Sequence, residues 1–517
     1  MKMNADLILY NGNIYTMDPQ NPKATAIAVK SYKVLAVGEE EEVADLVSNA
    51  KRVVDLGGKT VLPGFIDAHT HLTTSGIKSN HIDLSTTRSL ADAKKLIQLS
   101  LVKYKDAEWI KGYNWDESFW AEKRYLTGSD LDEITDTRPM MMTRIDGHLV
   151  TVNSIGFEKL GLPLDQDGVI KDSNGQPTGV LKDVDNIFEL VKPTNEEIQE
   201  GIISGNRIAS KNGITTAIDN APAGFLKHIR SAERENLLTA RIVVNPPVEQ
   251  MEHIIALGLT TAMGSPMVKI GGVKIFTDGS IGAQTAYVTK GYSENNENHG
   301  RLLVNEKEYS KILNQAVEND IQTVTHAIGD GAIEMVIAAF EDLSDKARIR
   351  NQRHRIEHAE MITEWQIRRA AGLGLILSMQ PNFVGKWQQE GGLYNSRFDE
   401  ETVRGMNMFR TALDNGARVA FGSDGMPYGP LYGIWSATAH PNDRVRISVE
   451  EAVRCYTMES AYASFLERTL GSISVGKRAD LVVLSKDIMS ISPQQINDVS
   501  VEMTFLGGNA EYVAVKT

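Results

Sequence analysis

Val61-Leu-Pro-Gly-Phe-Ile-Asp-Ala-His-Thr-His-Leu72 is an apolar run that ends in two histidines. It reads as a buried strand, with Pro63-Gly64 marking a turn out of the preceding segment. Side chains two apart along a strand share a face. His69 and His71 can therefore reach one metal ion, with Asp67 on the same face one step deeper. A lone His-x-His is common, and by itself it is more often a structural pair than a metal site. Further His, Lys and Asp residues at the ends of later strand-like segments give it weight.

Strand-like segments alternate with helix-like ones, the pattern of βα units and a parallel sheet. Eight can be placed, at 64–67, 214–218, 241–245, 272–276, 322–325, 354–357, 375–379 and 418–421. Eight is the count of a (β/α)₈ TIM barrel, whose chemistry gathers at the C-terminal strand ends. His69 and His71 close the first strand, Lys274 lies in the fourth, and His326 and His358 follow the fifth and sixth. Asp424 follows the eighth, in Gly422-Ser-Asp-Gly425. Two plainer readings stand beside these: His326 and His358 as hydrogen-bonded core histidines, and Lys274 as the ion-pair partner of Asp278 or another acid.

About 140 residues separate the first two strands, far more than a βα connection needs. An inserted subdomain at about 80–200 accounts for them. Its aromatics (Trp109, Tyr113, Trp115, Phe119, Trp120) either roof the barrel mouth or form the insertion's own core. Residues 168–182 read as a hairpin within it. Both ends of the chain are strand-and-turn sequence, with Asn11-Gly12 a hairpin signal between apolar residues. Segments 1–60 and 468–517 are expected to pair into one small β-sandwich domain, leaving 61–467 for the barrel.

Composition narrows the function classes. A formal charge of −13 on 517 residues, without a basic cluster, argues against nucleic-acid binding. There is no apolar run long enough for a membrane span and no signal-like N-terminus, so a cytoplasmic protein is expected. The single Cys455 excludes an internal disulfide and a Cys-rich zinc site. Residues 471–478 have the Gly-x4-Gly-Lys spacing of a phosphate loop. Arg478 stands there where Ser or Thr is needed, and a strand comes next instead of a helix.

Taken together, Gly64-Phe-Ile-Asp-Ala-His-Thr-His71, Asp146-Gly-His148, Val273-Lys-Ile-Phe-Thr-Asp-Gly-Ser280, His326-Ala-Ile-Gly-Asp330, Ile356-Glu-His358, Gly422-Ser-Asp424 and Gly476-Lys-Arg-Ala-Asp-Leu481 resemble the amidohydrolase superfamily. The likeness spans nearly the whole chain and is greatest to the YtcJ-like branch, which is similar to N-substituted formamide deformylase. The resemblance implies one or two divalent ions, expected to be zinc. His69, His71 and Asp424 would hold one, and His326 and His358 the other. Lys274 would bridge them as a carbamate formed with carbon dioxide. A metal-activated hydroxide would attack the carbonyl of a small amide, with Asp424 as general base and then acid. His148 is a further candidate for oxyanion stabilisation, beside an equal reading as a turn histidine.

A linear N-substituted amide is the expected substrate. A cyclic amide hydrolase or deaminase of the same superfamily is the alternative, and a non-catalytic metal-binding regulator the alternative of another class. A homodimer is the default expectation for assembly.

Overall fold

The computed structural model describes residues 4–105, 107–145, 149–182, 184 and 187–515. The chain forms two compact units, Met1–Thr73 with Asn206–Thr517, and Thr74–Gly205. Among the described residues no helix is long and apolar enough to cross a membrane.

In the larger unit the eight expected strands are β1 (Phe65–Thr70), β2 (Ile214–Asp219), β3 (Arg241–Val244), β4 (Val273–Phe276), β5 (Thr323–Ala327), β6 (Arg355–His358), β7 (Ile376–Met379) and β8 (Arg418–Phe421). They lie in two parallel sheets, one ordered Val268–Ile270, β3, β2, β1 and the other β4 through β8. Helices such as Leu226–Arg234, Asp330–Asp342 and Glu364–Leu373 follow the strands, as βα units require. On β1, Ile66 and Ala68 enter apolar clusters with Ala461, Leu466 and Ala463, so Asp67 and His69 face the other way.

Backbone hydrogen bonds join the two sheets at two places. Lys274 N–H donates to Pro246 O at 2.8 Å, and Asp424 N–H donates to His69 O at 2.8 Å. Each place needs a glycine. A Cβ on Gly272 would stand 2.5 Å from Gln322 O, and one on Gly422 would stand 2.3 Å from His69 N. The fourth strand is accordingly broken. Val268–Ile270 pairs with β3, and after Gly271-Gly272 the chain continues as β4 against β5.

The opening stretch is two strands, not one. Thr60–Pro63 belongs to a six-stranded sheet ordered Asn509–Val513, Val501–Leu506, Leu481–Leu484, Thr60–Pro63, Asn13–Tyr15, Lys23–Ala24. Gly64 N–H donates to Asp480 O as the chain leaves that sheet for β1. Strands from both ends of the chain thus share a sheet. A second sheet, ordered Lys33–Gly38, Ala26–Lys30, Leu7–Tyr10, Arg52–Asp55, adds Leu9, Ile27 and Val29 to a core that also holds Val61, Leu481 and Phe505.

Asn11-Gly12 does not close a hairpin, contrary to the sequence reading. Leu7–Tyr10 pairs with Ala26–Lys30, whereas Asn13–Tyr15 pairs with Lys23–Ala24. The dipeptide carries the chain from one sheet to the other. Asn11 takes a φ of +57° and its amide donates to Asp55 Oδ1 at 2.8 Å. Burying Leu9 and Ile14 in one shared core outweighs the local turn preference.

The smaller unit has its own six-stranded sheet, which includes the antiparallel pair Val169–Lys171 and Pro177–Lys182. Trp115 and Trp120 pack in one of its clusters and Trp109 in another, so these three aromatics are core. Phe119 is exposed.

One buried ion pair ties β3 to the C-terminal strands. Arg241 Nε and Nη2 donate to the two Asp480 carboxylate oxygens at 2.8 and 2.9 Å, and Gly507 N–H donates to Asp480 Oδ1 at 2.8 Å. Removing one partner strands a buried charge, so Asp480→Ala is expected to cost about 3–5 kcal/mol. The double change Arg241→Met with Asp480→Leu is expected to recover much of that. Urea unfolding midpoints of the three proteins check both statements, and equal midpoints for wild type and Asp480→Ala would refute them.

Candidate active site

His69, His71 and Asp424 converge from the ends of β1 and β8. Each offers one ligand atom, and these atoms lie within 4.8 Å of one another, a set able to hold a metal ion. Asp424 Oδ1 is 3.2 Å from His71 Nε2 and 3.5 Å from His69 Nε2. Around them stand His358, its ring 4.7 Å from that of His69, and His326, 4.4 Å from His358. Lys274 is buried close enough for its charge to act on all three of His69, His326 and His358.

Local backbone conformation explains how both residues of Glu357-His358 reach this cluster. Strand alternation would send neighbours to opposite faces. His358 and Ala359 instead take φ of +69° and +49°, which breaks the alternation and turns the imidazole back toward His69 and His326. Asp424 also sits at positive φ, +53°. Non-glycine residues held in this region are uncommon and gather at functional sites.

Four buried polar atoms in the cluster lack a hydrogen-bond partner among the described residues: His69 Nε2, Lys274 Nζ, His358 Nδ1 and Asp424 Oδ1. Unpaired buried polar atoms are costly and call for a partner. The imidazole and carboxylate atoms among them offer lone pairs that fit a cation, whereas Lys274 Nζ, as an amine, does not. His69 Nδ1–H donates to Glu357 Oε2, which leaves Nε2 as a lone pair. His326 Nε2–H donates to Gly279 O at 2.9 Å, which leaves its Nδ1 as a lone pair.

Electrostatics keeps most of these groups in ligating form. Burial, with the Lys274 charge second, lowers His69 to about 4 and His326 to about 3, so both imidazoles are neutral. Burial lowers Lys274 to about 8 against the pull of Glu357 and Asp424. For Asp424 burial works upward, but the adjacent His71, with His69 and Lys274 beside it, outweighs burial and holds the carboxyl at about 2.

Lys274 is not the partner of Asp278. The Asp278 carboxylate instead accepts the backbone N–H groups of Ile328, Gly329 and Tyr287 at 3.1, 2.9 and 2.9 Å. Asp67 is likewise committed elsewhere, accepting Ser423 N–H at 2.9 Å and Ser423 Oγ–H at 2.5 Å, which fastens the end of β8 to β1. His148 lies outside the described residues.

Sequence reasoning gave no role to Glu357 or Arg355. Arg355 donates to Glu357 through Nε at 2.7 Å and Nη2 at 3.0 Å, and through Nη2 to Ala68 O and Ser378 Oγ. Glu357 in turn fixes the His69 tautomer, the supporting arrangement common behind metal-ligating histidines. The signal was present in Arg355-Ile-Glu-His358, where positions 355 and 357 share a face.

Residues 52–512 match the amidohydrolase family. The putative amidohydrolase YtcJ of Bacillus subtilis is 28% identical, over 98% of this chain and 99% of its own. The N-substituted formamide deformylase of Arthrobacter pascens is 26% identical, over 99% of each. A solved structure from Pyrococcus furiosus, described as an uncharacterized metal-dependent hydrolase, superposes with a TM-score of 0.80 at 26% identity, covering 94% of this chain and all of that one. The chain belongs to the amidohydrolase family and is a hydrolase of carbon–nitrogen bonds other than peptide bonds.

Replacing Glu357 with Gln removes the negative charge behind His69 while keeping its shape. Zinc affinity, measured by competition with a chromophoric chelator, is expected to fall about 10–100-fold. Unchanged affinity would take Glu357 out of the site.

Proposed function

We propose that this chain is a metal-dependent hydrolase of a linear N-substituted amide. In this reading the eight parallel strands close as one (β/α)₈ barrel, the terminal strands form a β-sandwich beside it, and 80–200 is an insertion. The observation that carries the proposal is the convergence of ligand atoms of His69, His71 and Asp424 within 4.8 Å of one another, with His69 Nε2 and Asp424 Oδ1 buried and unpartnered. The full-length likeness to the Arthrobacter pascens deformylase supports an N-substituted amide over other carbon–nitrogen substrates.

His69, His71 and Asp424 would hold one divalent ion, with zinc the best match to imidazole and carboxylate ligands. His326 and His358 would hold a second. Lys274 would serve as a further ligand once carbamylated: its neutral amine adds to carbon dioxide, the new N–C bond forms, and one proton leaves. The product is anionic and offers two oxygens. Bound ions would supply Lewis acidity, polarising the amide carbonyl and lowering the pKa of water.

The chain's own residues supply the rest. The Asp424 carboxylate, fixed by its backbone N–H on His69 O, takes the proton of the attacking water. As the carbonyl carbon gains its C–O bond and the C–N bond breaks, Asp424 passes that proton to the leaving nitrogen. A carboxylic acid and an amine result, and the acid's proton passes to the amine to leave a carboxylate and an ammonium. His148 is proposed as a donor to the oxyanion.

A hydrolysis screen of zinc-loaded protein against linear N-acyl and N-formyl amines, cyclic amides and aminated heterocycles tests the proposal. Chelator-sensitive turnover of linear amides is expected, and turnover confined to rings would overturn the substrate class. Asp424→Asn is expected to cost at least about a hundredfold in kcat while most bound metal is retained. Unimpaired turnover by that variant would remove Asp424 from proton transfer.

A further inference from the structure

Phe276 ends β4 with 48% of its surface exposed. Single exposed apolar residues are ordinary on a protein surface. This one is not on an ordinary surface. Lys274 and Phe276 are two apart on one strand and so share a face. The Phe276 ring lies 4.7 Å from Lys274 Nζ and 5.1 Å from the centre of the His326 ring, its direct partner across the strand pair.

The neighbouring aromatic behaves differently. Phe383, which stacks parallel to His358 at 5.9 Å, is buried and packs at a tilt against Trp387, so its place is explained by the core. Among the described residues no such packing explains a large apolar side chain at Phe276. What it does is stand one step beyond the donor cluster, toward solvent, on the face from which a substrate must come.

We infer that Phe276 is a specificity-determining residue, the apolar wall on which the substrate's hydrophobic substituent packs. The inference rests on the amide-hydrolase reading and deepens it: the substituent that meets this wall is apolar and bulky, and small or charged substituents are poor. An aromatic face suits this because a flat ring buries large area on either side and prefers offset contact with a second ring. Phe276 touches no bond that breaks. Its effect falls on binding of the substituent and not on proton transfer.

The test separates the wall from the hydrolysis. Binding of N-benzylformamide is measured by calorimetry on zinc-loaded protein carrying Asp424→Asn, which holds the amide without turning it over. Adding Phe276→Ala is expected to weaken binding about tenfold or more, at unchanged zinc content, with Phe276→Leu keeping most of the affinity. In the Asp424 protein, Phe276→Ala is expected to lower the ratio of kcat/KM for N-benzylformamide over N-methylformamide by a similar factor. Phe276→Gln repeats the comparison should the alanine protein not fold.

Equal affinities with and without Phe276, a loss that tracks lost zinc, or no binding of N-benzylformamide by the Phe276 protein would each overturn the inference. Weakened binding alongside no turnover of any amide would overturn the hydrolytic reading and leave the wall standing. Turnover with no change on losing Phe276 would do the reverse.

Discussion

The buried chain Arg355–Glu357–His69, an ion pair that ends on a neutral imidazole, is the constraint on which the site depends. All three side chains are excluded from water, and an isolated charge there would be very costly. Burial pushes the Glu357 carboxyl up, but Arg355 and His69 outweigh it and hold it well below the usual range. The carboxylate must therefore stay ionised, and His69 must keep its proton on Nδ1. The free lone pair at Nε2 is a consequence of electrostatics two residues away. Arg355 also donates to Ala68 O and Ser378 Oγ, so the same guanidinium that balances the carboxylate fastens β1 and β7 to β6.

This arrangement links packing to chemistry through one strand. On β1, the even positions Ile66 and Ala68 fill apolar clusters and the odd positions Asp67 and His69 serve the site. A one-residue slip would exchange the two sets. Asp67 guards against that slip, because its two bonds to Ser423 hold β1 in register with the segment that carries Asp424.

Much of this was legible in the sequence because strand alternation and strand-end histidines leave local marks. The eight parallel strands appear where the apolar segments place them, to within a few residues. Features set by distant partners were not legible. Asn11-Gly12 has the chemistry of a hairpin turn, yet the choice between folding back and crossing to a second sheet depends on Leu56 and Asp55, more than forty residues away. The break in the fourth strand is marked only by Gly271-Gly272, and its meaning depends on Asn245 and Gln322 pressing from both sides. In Glu357-His358 the sequence predicts opposite faces, and only the left-handed backbone at His358 brings both inward.

The sheet shared by both termini has a consequence for synthesis on the ribosome. Leu62 pairs with Val482, so a strand made early must wait for one made about 420 residues later. At roughly 5–20 residues per second that is a delay of about 20–80 seconds. Throughout it Thr60–Pro63 has an unfilled edge, which a second nascent chain could occupy. The strand carries its own protection, since Pro63 has no N–H to offer and Gly64 turns the chain away at once into β1. The residues that lead into the site thus also shield the unfinished protein from its neighbours.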